Sequence, residues 1–286
     1  MNIGVIGLGA LGMLVASKLS VNHAVTGYVR RPEQIERIKQ SGLISDVNIY
    51  NVSTKLINDI GHHELYIVCV KQTHLNDVIP YLKKLLDDDK VIFLQNGLGH
   101  VEKVQSLKPK VFLGTCDHGV MRLSDYEYSH KGEGKVRIAS LRESNRNDAV
   151  RLVEALDYSF FPVEIHPELF RILYEKLMIN SVINPLTAIF EVPNGQVVEN
   201  TYLNKLAKKL TKEGADALSL DFDRLWEKVK EVAIHTKDNH SSMLRDIEQR
   251  QLTEIDYING YIMKVSDQPV PYHECMYNMV KAKEQR

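Results

Sequence analysis

Three features of the chain predict an α/β fold of two domains. Short apolar runs alternate with amphipathic stretches through the first half. The pattern turns almost entirely helical after Pro167. A glycine-rich turn, Gly7-Leu8-Gly9-Ala10-Leu11-Gly12, joins the first apolar run to the first amphipathic stretch. Strand–helix alternation argues for a doubly wound parallel sheet. The expected architecture is a Rossmann-like N-terminal domain with a parallel-sheet core over residues 1–165, followed by an all-helical C-terminal domain over 166–286.

Residues 3–6 and 24–29 read as strands around a helix at 10–19. Residues 65–70 are one continuous apolar run, as a strand buried on both faces requires. A helix is expected over 76–86, and buried strands at 91–94 and 111–115. Strands at 136–140 and 159–164, around a helix at 146–156, extend the edge of the same sheet. Pro167-Glu168 suits a helix start, because proline is tolerated in a first turn. Helices follow over 168–190, 199–219, 221–238 and 254–266, with a last one near 273–284. Pro185 is expected to kink or end its helix, and Asn239 to Asp246 reads as a polar turn.

Composition narrows the function. A chain of 286 residues suits two cores rather than one. The formal net charge of −1 supplies no bulk field for nucleic acid or an anionic membrane, so neither is an expected partner. Cys69, Cys116 and Cys275 are scattered without a Cys-x-x-Cys, which argues against a disulfide framework and fits a reducing cytoplasm. No basic stretch followed by an apolar one opens the chain, so no secretory signal is expected. No apolar run approaches the ~18 residues of a membrane span. His62-His63, His235 and His240 lack metal-ligand spacing and there is no His-Glu-x-x-His, so no metal is expected.

The glycine turn follows a strand and opens a helix, the context a dinucleotide loop needs. Gly7 would make the tight turn, Gly9 would let backbone approach a pyrophosphate, and Gly12 would allow close helix–sheet packing. The helix N-terminus adds free N–H groups and a positive dipole end. An NAD site places Asp or Glu at the end of the second strand, on the ribose 2′-hydroxyl. Here the chain has Tyr28-Val29-Arg30-Arg31, and two guanidiniums suit a 2′-phosphate. NADPH is therefore expected over NADH. Lys71 and Asn96-Gly97 close two buried strands, at the end of the sheet where ligands bind.

In the helical half, Lys176, Asn180 and Asn184 interrupt an apolar segment at i, i+4 and i+8. That spacing puts them on one face. Polar groups set among Leu, Met, Ile and Val are costly to bury without partners, which favours a stripe lining a cleft. Ser241 and Ser242 could cap a helix or hold a carboxylate. Thr253 would cap the next helix. Acidic residues in a first turn are expected structurally, and only convergence with Lys176 would give Glu254 chemistry.

Taken together, these residues resemble the ketopantoate reductase family over nearly the whole chain. The resemblance rests on Gly7 to Gly12, Val70-Lys71, Gln95-Asn96-Gly97, Glu175-Lys176 with Asn180 and Asn184, Pro193-Asn194-Gly195, Ser241 to Leu244, and Glu254 to Gly260. The segment Cys116 to Arg122 departs from the small, Thr/Ala-rich version expected there. The resemblance implies reduction of 2-dehydropantoate to (R)-pantoate by NADPH, in pantothenate synthesis. It makes Lys176 the general acid and Glu254 its partner. Gly7, Leu8, Gly9, Ala10, Leu11, Gly12, Arg31, Lys71, Asn96 and Val120 would meet the cofactor. Asn96, Asn180, Asn184, Asn194 and Ser242 would bind the small 2-oxo acid. The rival readings are a reductase of another 2-oxo acid, a hydroxyacid dehydrogenase on the same plan, and a non-catalytic NADPH sensor. Helical second domains often pair, so a homodimer is the expectation for assembly.

Overall fold

A computed structural model describes residues 1–46 and 48–285. Backbone contacts divide the chain into two units, Met1–Gln95 with His100–Leu169, and Asn96–Gly99 with Phe170–Arg286.

The first unit opens with β1 (Asn2–Ile6), α1 (Ala10–Ser20), β2 (Ala24–Val29) and α2 (Pro32–Ser41). Three short strands follow, β3 (Leu43–Ser45), β4 (Asn48–Tyr50) and β5 (Ser53–Leu56). Next come β6 (Leu65–Val68), α3 (Leu75–Leu82), β7 (Lys90–Phe93), α4 (Val101–Val104) and β8 (Lys110–Cys116). The unit closes with β9 (Gly119–Arg122), β10 (Glu127–Gly132), β11 (Val136–Ser140), α5 (Arg146–Leu156) and β12 (Val163–Ile165).

The main sheet has eight strands in the order β12-β11-β8-β7-β6-β1-β2-β5. From β8 to β5 every pairing is parallel, while β11 runs antiparallel to β8. The order reverses between β1 and β6, the switch point at which open α/β sheets bind ligands. All four residues of β6 are buried, as the apolar run predicts.

A second sheet, β4-β3-β10-β9, was not expected. It packs on α1 through β3, β9 and β10, while β1 and β2 pack on the helix as well. Gly12 through Ser17 and Leu19 are all buried, which is the outcome for a helix apolar nearly all round. Burying Met13, Leu14, Val15 and Leu19 contributes roughly 1.5–3 kcal/mol each. The strands of the second sheet are short and half-exposed, so they carry little periodicity. The strand expected at 159–164 shrinks to β12, because Tyr158 and Phe161 form an isolated antiparallel bridge instead.

The second unit is helical: α6 (Leu169–Phe190), α7 (Gln196–Glu199), α8 (Thr201–Ala217), α9 (Phe222–His235), α10 (Ser242–Glu248), α11 (Asn259–Val265) and α12 (Pro271–Glu284). Side chains of Asn200, Asp221 and Ser241 cap α8, α9 and α10. Val182, Ile183 and Leu186 of α6 pack with Leu210 of α8 and Val229 of α9 in its core.

Three expectations are corrected here. Pro185 does not end α6, which continues five residues further to Phe190. Proline has no N–H to give the Ser181 carbonyl, but Asn259 Nδ2 donates to that oxygen at 3.1 Å. An orphaned buried carbonyl would cost about 1–3 kcal/mol, and this side chain removes the penalty. The helix expected over 254–266 is a 3₁₀ turn, Ile255–Tyr257, and then α11, broken where Ile258 takes φ −107° and ψ −85°. The polar turn at 239–246 contains the start of α10, at Ser242.

Candidate functional site

The glycine turn forms as its spacing requires. Gly7 has φ +94°, and a Cβ there would lie 2.5 Å from Val70 Cγ1. A Cβ at Gly12 would lie 1.8 Å from the Gly7 carbonyl oxygen, so only glycine lets α1 start this close to the turn. At Gly9 a Cβ would meet nothing within 4 Å. The fold thus demands glycine at two positions, and at Gly9 it leaves open space beside the backbone. That cradle fits a pyrophosphate on the N-terminus of an eleven-residue helix. The turn is held by Gly7 N–H donating to Tyr28 O at 2.9 Å and by Gln34 Nε2 donating to Leu8 O at 2.9 Å. Ala10 and Leu11 form the first turn of α1.

The two arginines after β2 diverge. Arg30 lies 3.3 Å from Asp77 and 3.2 Å from His74 Nδ1, both near the start of α3. Arg31 pairs instead with Asp125, from the loop between β9 and β10. Arg122 pairs with the same carboxylate, and Arg37 reaches it at 3.3 Å. The Asp125 side chain is 9% exposed, against 55% for Arg31. Three guanidiniums around one sunken carboxylate leave a local excess of two positive charges facing water. Gln34 donates to the Asp125 backbone oxygen as well, at 2.8 Å, and so connects this cluster to the glycine turn. Neither Asp125 nor Gln34 was anticipated. Asp125 lies too far along the chain to be paired with Arg31 by pattern.

Lys71 follows β6 and is half-buried at the start of a short 3₁₀ turn. Gln95 Nε2 donates to Val70 O at 2.8 Å, tying the loops after β6 and β7 together. Its Oε1 is buried without a partner among the described residues. Asn96, next along, is half-buried, and Gly97 takes φ +76°. Val120 lies in β9 opposite His130 and packs against the core of the first unit.

In the second unit, α6 carries Lys176, Asn180 and Asn184 in steps of four along one face. Lys176 and Asn180 are half-buried and Asn184 is 7% exposed. The neighbouring Glu175 has a different task. Its carboxylate meets Arg171 at 3.4 Å, Arg224 at 3.1 Å and Lys228, which ties α6 to α9. Thr187, on the last turns of α6, lies 2.7 Å from Ser241 Oγ. Ser241 accepts from Leu244 N–H at 3.1 Å and caps α10, leaving Ser242 as its exposed first residue.

Asn194 is built into a turn. Its N–H donates to Asn239 O at 2.9 Å, and its Nδ2 donates to Thr236 Oγ1 at 2.9 Å. Its Oδ1 is buried with no partner among the described residues, so the side chain presents an acceptor. Glu254 is half-buried and follows Thr253, whose N–H and hydroxyl donate to Glu284 Oε1 at 2.8 and 2.7 Å. Thr253 Oγ1 also accepts from Ile255 N–H at 3.2 Å, but the capping position of the 3₁₀ turn is Glu254 and not Thr253 as expected.

The histidines serve packing and surface roles. His63 is 4% exposed and lies 2.6 Å from both Tyr28 Oη and Asn2 Oδ1. His240 lies 3.4 Å from Glu248, and His235 lies 2.9 Å from Glu231 O. Among the described residues, no group of three or more His, Cys, Asp or Glu could hold a metal ion, and no helix is long and apolar enough to cross a membrane.

Comparison with known proteins gives a consistent result. The model of ketopantoate reductase PanE/ApbA matches residues 3–143, and that of its C-terminal part matches 168–284. The 2-dehydropantoate 2-reductase of Listeria monocytogenes is 33% identical, over 99% of this chain and 97% of its own. That of Bacillus subtilis is 31% identical, over 99% and 98%. A crystal structure of a probable 2-dehydropantoate 2-reductase from Bacillus subtilis matches with a TM-score of 0.87 at 31% identity, covering 99% of this chain and 100% of that one. D-mandelate dehydrogenase, solved with NADH and anilino(oxo)acetate, shares the fold at a TM-score of 0.93 and 23% identity, covering 100% and 99%.

Proposed function

The chain belongs to the ketopantoate reductase family, and from that membership we propose that it reduces 2-dehydropantoate to (R)-pantoate with NADPH, a step of pantothenate synthesis. The observation that carries the reading is the Lys176–Asn180–Asn184 stripe along one face of α6. A dinucleotide loop alone would serve a sensor equally well. An ammonium and two amides aligned on α6 supply what reduction of a 2-oxo acid needs.

The residues present fit the cofactor. The backbone of Gly7, Leu8, Gly9, Ala10, Leu11 and Gly12 would hold the pyrophosphate, supported by the open space at Gly9. Arg31 and Lys71 would hold the 2′-phosphate. The positive excess around Asp125 supports NADPH over NADH, because guanidiniums bind phosphate through charged, paired hydrogen bonds. Asn96 and Val120 would stand at the nicotinamide end. When bound, NADPH supplies the hydride that reduces the C2 ketone.

The protein's own part is orientation and proton delivery. Lys176 Nζ would donate a hydrogen bond to the C2 oxygen and give up a proton as that oxygen becomes a hydroxyl. Glu254 would orient the ammonium. Asn180, Asn184, Asn194 and Ser242 would fix the substrate in a reactive geometry. The free Oδ1 of Asn194 supports a contact to a substrate hydroxyl rather than to its carboxylate. Lys176→Ala should lower kcat by about a thousandfold, within the range for a lost acid, while the Kd for NADPH stays within about twofold. Near wild-type turnover would overturn the role of Lys176.

Among the described residues Cys69, Cys116 and Cys275 form no disulfide, which supports a reducing compartment such as the cytoplasm. A homodimer is part of the proposal, to be read as a mass in solution by light scattering.

A further inference from the structure

Asn259 connects the segment that carries Glu254 to the helix that carries Lys176. Its Nδ2 donates to the Ser181 carbonyl at 3.1 Å and lies 3.0 Å from His273 Nδ1. His273 Nε2 lies 3.1 Å from Leu210 O. The direction of every bond follows, because a carbonyl oxygen only accepts. Nε2–H of His273 donates to Leu210 O, so its Nδ1 is an acceptor. The two hydrogens of Asn259 Nδ2 are thus used on Ser181 O and His273 Nδ1. Both side chains are wholly buried. One amide thereby ties α11 to α6 and, through His273, to α8 and α12.

Ser181 O is available to Asn259 only because of Pro185. An ordinary residue there would offer its own N–H to that oxygen, and α6 would be satisfied without help. Ser181 lies between Asn180 and Asn184 on the helix. The break at Ile258 ends the turn begun at Glu254, and Asn259 follows directly. The pairing of Pro185 with Asn259 therefore fixes the register between the helix face of Lys176 and the segment of Glu254.

We propose that Asn259 is a positioning residue, whose amide supplies the hydrogen bond that Pro185 withholds from α6 and so sets the Glu254 segment against the Lys176 helix. The inference rests on the reading of Lys176 and Glu254 given above. Misplacement of a catalytic group by about an ångström can cost about a hundredfold in rate, and Asn259 acts at that scale.

The test uses Asn259→Leu alone, with Pro185→Ala, and with Lys176→Ala. Asn259→Leu should lower kcat by about 10- to 100-fold and leave the Kd for NADPH within about twofold. Adding Pro185→Ala restores an N–H to Ser181 O, so the urea midpoint should recover while kcat stays low. In the Lys176→Ala background, Asn259→Leu should cost less than about twofold more, because residues that act as a unit are not additive. A purely structural Asn259 predicts the reverse, with kcat recovering alongside stability and losses that multiply. Either of those results, or a wild-type kcat in Asn259→Leu, overturns the proposal. If Asn259→Leu alone does not fold, the variant that also carries Pro185→Ala decides between recovered and low kcat. Failure of the underlying reading is separate, since it appears as normal turnover in Lys176→Ala alone.

Discussion

Arg31 at the end of β2 is ion-paired to Asp125, a carboxylate 94 residues further along the chain. That carboxylate holds Arg37 and Arg122 too, so it gathers three guanidiniums in one cluster. Arg30, beside it in sequence, turns away to Asp77. Arg31→Ala should therefore weaken NADPH binding by about 10- to 100-fold, the loss of ~1.5–3 kcal/mol of charged hydrogen bonding. NADH binding should change by less than about twofold. Arg30→Ala should leave the preference for NADPH largely in place. Fluorescence titration with both cofactors measures all of these.

The three glycines of the turn should respond differently to a methyl group. Gly12→Ala places a Cβ 1.8 Å from the Gly7 oxygen, so the unfolding midpoint should fall by the equivalent of at least ~1–3 kcal/mol. Gly9→Ala meets nothing within 4 Å and should fold as stably as the parent while binding dinucleotide more weakly. A urea melt and a binding titration on each variant separate the two effects. Equal affinity in Gly9→Ala would remove the cradle from the account.

Acid should weaken the network at Asn259. Burial lowers the pKa of His273 to about 4, from an ordinary 6.5. His100, also buried, is lowered likewise to about 4. In the unfolded chain such groups take up protons below about pH 6.5, while in the native chain they remain neutral until near pH 4. Protonation therefore favours unfolding, and the stability fully present above pH 6.5 declines toward pH 4. A charged His273 would also turn an N–H toward Asn259 Nδ2, where only an acceptor fits. The urea midpoint should drop between about pH 7 and pH 5, and the drop should be shallower in His273→Gln. An equal slope in that variant would contradict the assignment.

The local parts of this protein were legible in its sequence, and the long-range pairings were not. The turn from Gly7 to Gly12 could be read because strand, glycines and helix are contiguous. The α6 stripe could be read because helical spacing brings Lys176, Asn180 and Asn184 together without any outside partner. Asp125 was invisible, since nothing in a loop after β9 indicates that it will reach Arg31. Pro185 was misread for the same reason. The rule for proline concerns its own helix, whereas the donor that rescues Ser181 O comes from Asn259, 78 residues later. The seven residues of α10 are too few to carry a period, and the second sheet is built from strands of three to six residues with polar faces.

Substrate identity is the central claim, and a panel of 2-oxo acids followed at the nicotinamide absorbance tests it most directly. With NADPH, 2-dehydropantoate should give the highest kcat/KM, exceeding unbranched and aromatic 2-oxo acids by at least about tenfold, or ~1.4 kcal/mol of transition-state binding. A higher kcat/KM for another 2-oxo acid, or no turnover with 2-dehydropantoate, would contradict the account.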